Sequence, residues 1–278
     1  MSRYVECPLK YYYMSVMGLR EQEALEDDID ASQLGETIHN VLRDIFLPFV
    51  GKAVDVAALK EARANIETLL DHEMESLMKG GRSSEGRNNF LRSVAITQLG
   101  RMLDREAALL DNGHKLEMVA LEQDYLYKIF EHDGYPVCIG GRVDRIDRFD
   151  GRLRVIDYKT GSLEQREIAY TTDRKVPAKW LQLMSYALMY RRRNPSNEAM
   201  YSGIYPLRYL KSGVKLATWD NQDELTNAMI DDFEAMTRTT LETLLDPEIP
   251  FEATPSTAAC RFCPAATFCP RKNFFSRE

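Results

Sequence analysis

Three charged residues in the middle of the chain have the types and spacing of a metal site. Asp157 and Lys159 follow apolar residues at the end of a predicted β-strand at 153–159, and since side chains alternate along a strand, the two share one face. Asp150-Gly151 is a hairpin turn signal, so the preceding strand, which contains Asp144, is expected to lie antiparallel to this one. Two carboxylates and an ammonium group are therefore expected to converge on one point.

This combination suits the hydrolysis of a phosphodiester bond. The reaction needs a divalent metal ion that binds a phosphate oxygen and polarises a water molecule. Mg²⁺ and Mn²⁺ prefer hard oxygen ligands, which Asp144, Asp157 and the backbone carbonyl of Tyr158 can supply. Lys159 can position the attacking water or stabilise charge that develops on the phosphate. The alternative is a plain surface salt bridge between Asp157 and Lys159, but their position one hairpin after Asp144 favours the catalytic interpretation.

Other polar residues are ambiguous by themselves. His39 lies on a predicted helix, where a lone histidine is more often structural than a metal ligand. Glu122, in the first predicted strand, is either another acidic contributor or an outward-facing residue. Asp147 falls on the opposite strand face from Asp144, which favours a role in a turn or a salt bridge.

The first part of the chain is predicted to be helical. Apolar residues at helical spacing in 33–50 form one stripe, with Ser32 as the N-cap. Further helical patterns cover 54–79 and 88–112, and a flexible glycine-rich connector at 80–86 joins them.

The middle of the chain changes to a pattern of strands, and Asp133-Gly134 is a second hairpin turn signal. On the helix that follows them, Gln182 and Tyr186 share one face, one turn apart. The predicted elements, in order, are strands at 116–130, 136–148 and 152–159, a helix at 178–193, a strand at 199–209 and a helix at 222–245. This order indicates an α/β fold with a central mixed sheet, extra N-terminal helices and a cysteine-bearing C-terminal tail.

The bulk composition is that of an ordinary globular protein, with 278 residues of which 44% are hydrophobic and 28% charged. No apolar run approaches the roughly 20 residues that span a bilayer, and the N-terminus lacks a signal peptide's apolar core, so we expect a cytoplasmic protein.

The net charge of −7 does not itself indicate nucleic-acid binding. Much of the acid lies in a run at 21–30 that we interpret as solvated, and the basic clusters Arg191-Arg192-Arg193 and Arg271-Lys272 can still hold phosphates.

Taken together, these residues resemble the RecB-like branch of the PD-(D/E)XK nucleases. The matching segments appear in the family's order and cover the chain from near its start to about residue 190. They are Gly35-Glu36-Thr37-Ile38-His39, Gly141-Arg142-Val143-Asp144-Arg145-Ile146-Asp147, Val155-Ile156-Asp157-Tyr158-Lys159-Thr160-Gly161 and Gln182-Leu183-Met184-Ser185-Tyr186. The resemblance implies a restriction-endonuclease-like αβββαβ core and Mg²⁺- or Mn²⁺-dependent cleavage of DNA.

The resemblance also implies a role for individual residues. The metal ligands would be His39, Asp144, Asp157 and the carbonyl of Tyr158. Lys159 would be catalytic, together with the two aspartates. Two further residues, Gln182 and Tyr186, would lie beside the site and help to place the lysine or the DNA.

Four of the five cysteines extend the resemblance. Cys260, Cys263 and Cys269 are three potential ligands of one site, and Cys7 can supply the fourth. The arrangement is similar to the iron–sulfur subgroup of these nucleases, found in AddB-type nuclease domains and in CRISPR-associated RecB-like exonucleases, which implies a [4Fe–4S] cluster. Zinc stays open as the alternative, because four thiolates also form a structural zinc site. Cys138 lies within a predicted strand, where we expect a small buried hydrophobic residue.

The organisation that follows is a single nuclease domain over 1–278. It has a helical part at 33–112, a catalytic sheet and helix at 116–209, and a helix with a cysteine tail at 222–278 that is joined to Cys7. The resemblance implies an exonuclease domain of a helicase–nuclease in DNA recombination and repair, with DNA and helicase domains or a helicase subunit as partners.

Other functions stay open. The chain has no Gly-x4-Gly-Lys-Ser/Thr loop, so one hypothesis is a domain excised from a longer polypeptide. The alternatives are a free-standing CRISPR-associated exonuclease, a catalytically inactive DNA-binding scaffold of the same fold, and a phosphodiesterase that acts on small molecules.

Overall fold

The computed structural model describes residues 1–19, 31–77, 86–208, 213–255, 258–261 and 263–271. The acidic run at 21–30 and most of the predicted connector at 80–86 lie outside these residues. Within the described part of the chain, no helix is both long and apolar enough to cross a membrane.

The N-terminal part is helical, as predicted, but its boundaries differ. It contains α1 (Ser2–Glu6), α2 (Pro8–Tyr11), a π-helical turn (Tyr12–Val16), α3 (Ala31–Phe46), α4 (Val56–Ala64), α5 (Ile66–Leu77) and α6 (Gly86–Asp111). Ser32 lies inside α3 and is not its N-cap. The end of α3 comes before Pro48, which has no N–H to continue the helical hydrogen bonds. The predicted helix 54–79 is divided at Asn65, whose φ of −100° and ψ of 11° leave the helical region.

The remaining elements form a mixed sheet with the predicted order. The strands are β1 (Leu116–His132), β2 (Tyr135–Phe149), β3 (Arg152–Lys159), β4 (Ala169–Tyr170), β5 (Met200–Pro206), β6 (Lys215–Leu216), β7 (Thr218–Trp219) and β8 (Glu224–Leu225). The main sheet has the order β1-β2-β3-β5-β6, with β8 also paired to β5. The first three strands are antiparallel neighbours, and β5 is parallel to β3 after a crossover through α7 (Ala178–Arg193). The predicted αβββαβ core with a mixed sheet is confirmed.

Two hairpin turns determine how the first three strands align. Both predicted turns, Asp133-Gly134 and Asp150-Gly151, have positive φ at both residues, with values of 50° and 79° in the first and 49° and 82° in the second. Turns of this kind match the twist of the flanking strands and connect them directly. Each strand that carries an expected site residue is thereby placed next to its sequence neighbour.

The sheet has a hydrophobic core on each side. On one side β3 packs against α7 and α8 (Asn227–Leu245) through Leu153 and Val155. On the other side Ile156 and Tyr158 pack against the helices α3, α5 and α6. Both faces of β3 are buried at its centre, where Val155 and Ile156 are fully buried and Asp157 follows them directly.

Candidate active site

Three carboxylates stand in a row across β1, β2 and β3. The register of the first hairpin places Glu122 opposite Asp144. In the second hairpin the backbone pairing ends at Arg145 with Ile156, so the next step places Asp144 opposite Asp157. Residues opposite one another on antiparallel strands point to the same face of the sheet. Strand pairing therefore brings the three acids together.

Beyond Arg145 and Ile156 the backbone pairing of β2 with β3 ends, and the side chain of Asp144 bonds to the backbone of β3 instead. The N–H of Tyr158 donates to Asp144 Oδ2 at 2.8 Å, which fixes the orientation of a carboxylate that is only 7% exposed. The carbonyl oxygen of Tyr158 lies 3.2 Å from Nε2 of His39. The backbone of Tyr158 thus lies at the site, next to His39 and Asp144.

Helix α3 brings His39 to the same point. Its Nδ1 lies 3.6 Å from Asp144 Oδ2 and 3.7 Å from Glu122 Oε1. Burial by itself would lower the pKa of His39, but the hydrogen bond and charge of Asp144, with the charges of Glu122 and Asp157, outweigh it and raise that pKa. The imidazole therefore lies in a strongly negative environment.

Lys159 is paired with Asp157, as the strand alternation predicts. Its Nζ lies 2.9 Å from Oδ1 and 2.7 Å from Oδ2 of Asp157. Asp157 is 2% exposed, and burial, followed by the charge of Asp144, raises its pKa to about 6 in spite of the lysine. One ammonium group thus compensates only part of the negative charge, which leaves the site suited to a further cation.

The donor set fits a divalent metal ion. Ligand atoms of His39, Glu122 and Asp144 all lie within 4.8 Å of one another, and among the described residues no other three acidic, histidine or cysteine side chains do so. Burial, followed by repulsion from the charge of Asp144, raises the pKa of Glu122. A cation bound between the two carboxylates would relieve this repulsion. One imidazole nitrogen with carboxylate oxygens is compatible with Mg²⁺ and suits Mn²⁺ well.

Together these groups line one open cleft, which we call the acidic cleft. Its lining includes Gly35, Glu36, His39, Glu122, Arg142, Asp144, Tyr158, Lys159, Thr160 and Gly161. The structure therefore brings His39, Asp144, Tyr158 and Lys159 together as the sequence predicts. The carboxylate of Asp157 lies beside the cleft but is held by Lys159, and the closely spaced group contains Glu122 instead.

Glu122 is the site residue that the sequence leaves ambiguous. It has φ of 45°, a left-handed conformation that is uncommon for glutamate inside a strand. Counting back from the turn at Asp133-Gly134 without interruption would place it opposite Arg145. A bulge between Lys128 and Phe130 shifts the register by one and places it opposite Asp144.

Gln182 and Tyr186 lie on α7 beside the cleft and interact with each other. Gln182 Nε2 donates to the Tyr186 hydroxyl at 2.8 Å. Burial, followed by the charge of Asp157, raises the pKa of Tyr186. A Cβ atom on Gly141 would lie 3.2 Å from Tyr186 Cε1, so a larger residue there would require the ring of Tyr186 to shift by a few tenths of an ångström. The pair lines an adjoining groove with Met1 and Gly141.

Asp147 has the structural role that its strand face predicts. It is fully buried and accepts hydrogen bonds from Arg145 Nε at 2.6 Å and Arg154 Nε at 2.7 Å. Burial would raise the pKa of Asp147, but the two guanidinium groups outweigh it and lower that pKa. The carboxylate is occupied away from the acidic cleft.

A second cavity contains the other candidate ligands, Cys7, Cys260, Cys263 and Cys269, and we call it the cysteine cavity. The two ends of the chain meet here, where the N–H of Leu9 donates to the carbonyl of Glu252 at 3.1 Å and the ring of Tyr12 stacks on Phe251. The N–H of Thr254 donates to Cys7 Sγ at 3.4 Å. The predicted grouping of the four cysteines in space is thus present.

The four cysteines of the cavity are thiols rather than disulfides, and burial raises the pKa of Cys263. All four belong to the described part of the chain, and no three of their sulfur atoms lie within 4.8 Å of one another. Cys138, which is half-buried rather than fully buried, lies in β2 and does not line the cavity.

Comparison with known families identifies one match that covers nearly the whole chain. A sequence profile described as "PD-(D/E)XK nuclease superfamily" matches residues 1–270.

Curated relatives match at low identity, and each is named as a subunit of an "ATP-dependent helicase/deoxyribonuclease". The relative from Carboxydothermus hydrogenoformans is 25% identical over 68% of this chain and 18% of its own length. The protein of the same name from Clostridium perfringens is 26% identical over 58% of this chain and 15% of its own. That from Staphylococcus carnosus is 24% identical over 80% of this chain and 20% of its own. The chain thus spans at most about a fifth of the length of these relatives.

Proposed function

Because this chain belongs to the PD-(D/E)XK nuclease superfamily, we propose that its acidic cleft hydrolyses phosphodiester bonds of DNA with a bound Mg²⁺ or Mn²⁺ ion. The observation that supports this most directly is the convergence of His39, Glu122 and Asp144 beside the ion pair of Asp157 and Lys159. A structural salt bridge alone would not need three further metal-ligating groups around it.

The residues of the cleft divide into two roles. His39, Glu122 and Asp144 would hold the metal ion, with Asp157 and the carbonyl of Tyr158 as further oxygen donors. Bound there, the ion would polarise a phosphate oxygen and lower the pKa of a water molecule.

Lys159 has the other role. Its side chain is 32% exposed, so the ammonium group can reach a phosphate at the mouth of the cleft. There it would stabilise the negative charge that increases on the phosphate oxygens in the transition state. Asp157 would restrict the lysine to this position, since it contacts Nζ through both carboxylate oxygens.

For the cysteine cavity we propose a [4Fe–4S] cluster held by Cys7, Cys260, Cys263 and Cys269. Four thiols on one cavity suit such a cluster, and a single zinc ion bound by the same four thiolates is the alternative. Its role here would be structural, because the ligands come from both ends of the chain.

The wider context is also a proposal. The relatives are named as subunits of a helicase/deoxyribonuclease, and the chain spans at most about a fifth of their length. We therefore propose an exonuclease domain that acts in the cytoplasm with DNA-unwinding domains or a helicase subunit, in DNA recombination and repair.

The test is cleavage of end-labelled single- and double-stranded DNA by the whole chain. We expect cleavage with Mg²⁺ or Mn²⁺, none with EDTA, and its loss in Asp157→Ala and in Lys159→Ala. Lys128→Ala is a matched control, since Lys128 is an exposed lysine of the same sheet, on β1. Undiminished cleavage in both site variants would show that the site is elsewhere, and no cleavage of any DNA by the wild type would favour the inactive scaffold.

A further inference from the structure

A second groove opens beside the acidic cleft, along one face of α6. Phe90, Val94, Thr97 and Arg101 follow one another at spacings of four, three and four residues, so they form a single stripe on the helix. From Phe90 to Arg101 this stripe is about 16 Å long. The groove is lined by Leu34, Phe90, Val94, Thr97, Arg101 and Arg208, among others, and we call it the α6 groove.

The α6 groove and the acidic cleft are continuous. Thr160 and Gly161 line both of them, and these two residues directly follow Lys159. A long ligand whose phosphate lies at Lys159 can therefore extend past Thr160 into the α6 groove.

The two neighbouring surfaces differ in charge. The acidic cleft includes Glu36, Glu122 and Asp144, whereas none of the described residues that line the α6 groove is acidic. Two arginines line the groove, and Arg101 is exposed and forms no ion pair with any described residue. In a chain of net charge −7, a groove whose charged side chains, among the described residues, are all arginines is complementary to a polyanion.

Phe90 supplies the second requirement for nucleic acid. It is 68% exposed at the groove, although a phenylalanine is usually buried. Proteins that bind single strands combine a positively charged groove with aromatic side chains on which unpaired bases stack. The bases of a duplex are already stacked on one another and cannot use such a platform.

We propose that the α6 groove binds single-stranded DNA that continues from the acidic cleft, with a base stacked on Phe90 and a phosphate held by Arg101. This rests on the proposed nuclease function of the adjoining cleft. It adds a strand preference and a binding residue, Phe90, that is separate from the metal ligands.

The experiment measures fluorescence anisotropy of a labelled oligothymidine and of a labelled duplex, without added divalent cation so that neither is cut. We expect Phe90→Ala to weaken single-strand binding about 5- to 150-fold, the range for loss of one stacked base, and to leave duplex binding unchanged. Phe90→Trp should restore single-strand affinity. Leu126→Ala, which truncates a 78% exposed residue of β1, is the matched control and should change neither.

Arg101→Ala gives an independent measurement. We expect it to reduce the slope of log affinity against log salt concentration by about 0.7, the contribution of one phosphate contact on a single strand. If both Phe90→Ala and Arg101→Ala bind single strands like the wild type, the groove proposal is overturned. If they weaken single-strand binding but the wild type cuts no DNA with Mg²⁺ or Mn²⁺, the nuclease proposal fails and the groove proposal stands.

Discussion

The acidic cleft and the cysteine cavity both collect metal-ligating residues, but the chain builds them in opposite ways. The cleft takes its groups from regular strands and from α3, whose positions are set by backbone hydrogen bonds and core packing. The cavity takes its groups from short helices and irregular segments at the two ends of the chain, with Thr254 and Cys7 separated by 247 positions. The fold positions the residues of the cleft, whereas the contacts at the cavity hold the two ends of the chain together.

This difference has an energetic consequence. In the cleft, burial and mutual repulsion raise the pKa values of Glu122 and Asp157, so the carboxylates disfavour the folded state in the absence of a cation. In the cavity, any shared ligand would join distant parts of the chain and restrict the unfolded state. Substitutions in the cleft should therefore reduce activity, and those in the cavity should reduce stability.

The largest expected effect on stability is that of Cys263→Ala. A tie between Cys7 and the tail closes a loop of about 250 residues, for which the cross-link entropy relation gives about 5 kcal/mol. We expect a loss of unfolding free energy of that order, with the cleft residues chemically intact, measured by thermal and denaturant unfolding of the metal-loaded protein. Cys138→Ala, outside the cavity, is the control and should change it little. An unchanged melting temperature in Cys263→Ala would argue against a structural cluster.

Asp144→Asn is expected to reduce activity and to leave stability unchanged. The amide oxygen can still accept the hydrogen bond from the N–H of Tyr158, so the fold should be kept, while one charged metal ligand is lost. We expect DNA cleavage to fall by at least about 100-fold, the scale seen when one group that stabilises a transition state is removed. The melting temperature should not fall. A large loss of stability here would contradict the separation of the two regions.

A smaller effect is expected for Glu122→Gln. This change keeps the side-chain shape and removes one of the three closely spaced ligands. The Mg²⁺ concentration for half-maximal cleavage should rise about 10-fold, in the range found when a group that supports a metal site is altered. Glu131→Gln, on the exposed end of β1, is the matched control. Equal metal requirements in both variants would assign Glu122 no role in metal binding.

The smallest expected effect is the pH dependence of stability due to Asp147, which lies on the face of β2 that points away from the cleft. The pKa of Asp147 is lowered in the folded state, so its contribution to stability is fully present above about pH 3.9, its unfolded value, and is lost as pH falls through the folded value. One such group changes the unfolding free energy by at most about 1.4 kcal/mol per pH unit. Denaturant unfolding between pH 5 and 2 should show this slope in the wild type and a flatter one in Asp147→Asn, and identical slopes would refute the assignment.

Much of the fold was predictable because its signals are local. Two Asp-Gly turns, the apolar run before Asp157 and the alternation of helical and strand patterns led to the right order of elements. The predictions failed at boundaries, where single residues decide. Pro48 ends α3 early, and Asn65 divides a helix that the periodicity predicts as continuous.

The second hairpin shows what a sequence can establish about a site. Its register runs from Phe149↔Arg152 to Arg145↔Ile156 without a shift, so a two-residue turn and strict alternation suffice to place Asp144 opposite Asp157 and to put Lys159 on the same face. The placement of these three residues side by side follows from the amino-acid sequence alone, because it depends only on contacts between residues that are close in the chain.

The positions of Glu122, His39 and Cys7 depend on tertiary structure. Glu122 faces Asp144 only because a bulge near Ile129 shifts the strand register of the first hairpin by one residue. The local sequence pattern does not predict that bulge. His39 reaches the carboxylates because α3 packs across the sheet, where His39 meets Tyr158 from 119 positions away in the chain, and Cys7 meets the tail only when both ends fold together. Turn chemistry and side-chain alternation act between neighbours and can be read from the sequence, whereas bulges and helix docking are selected by the packing of the whole core.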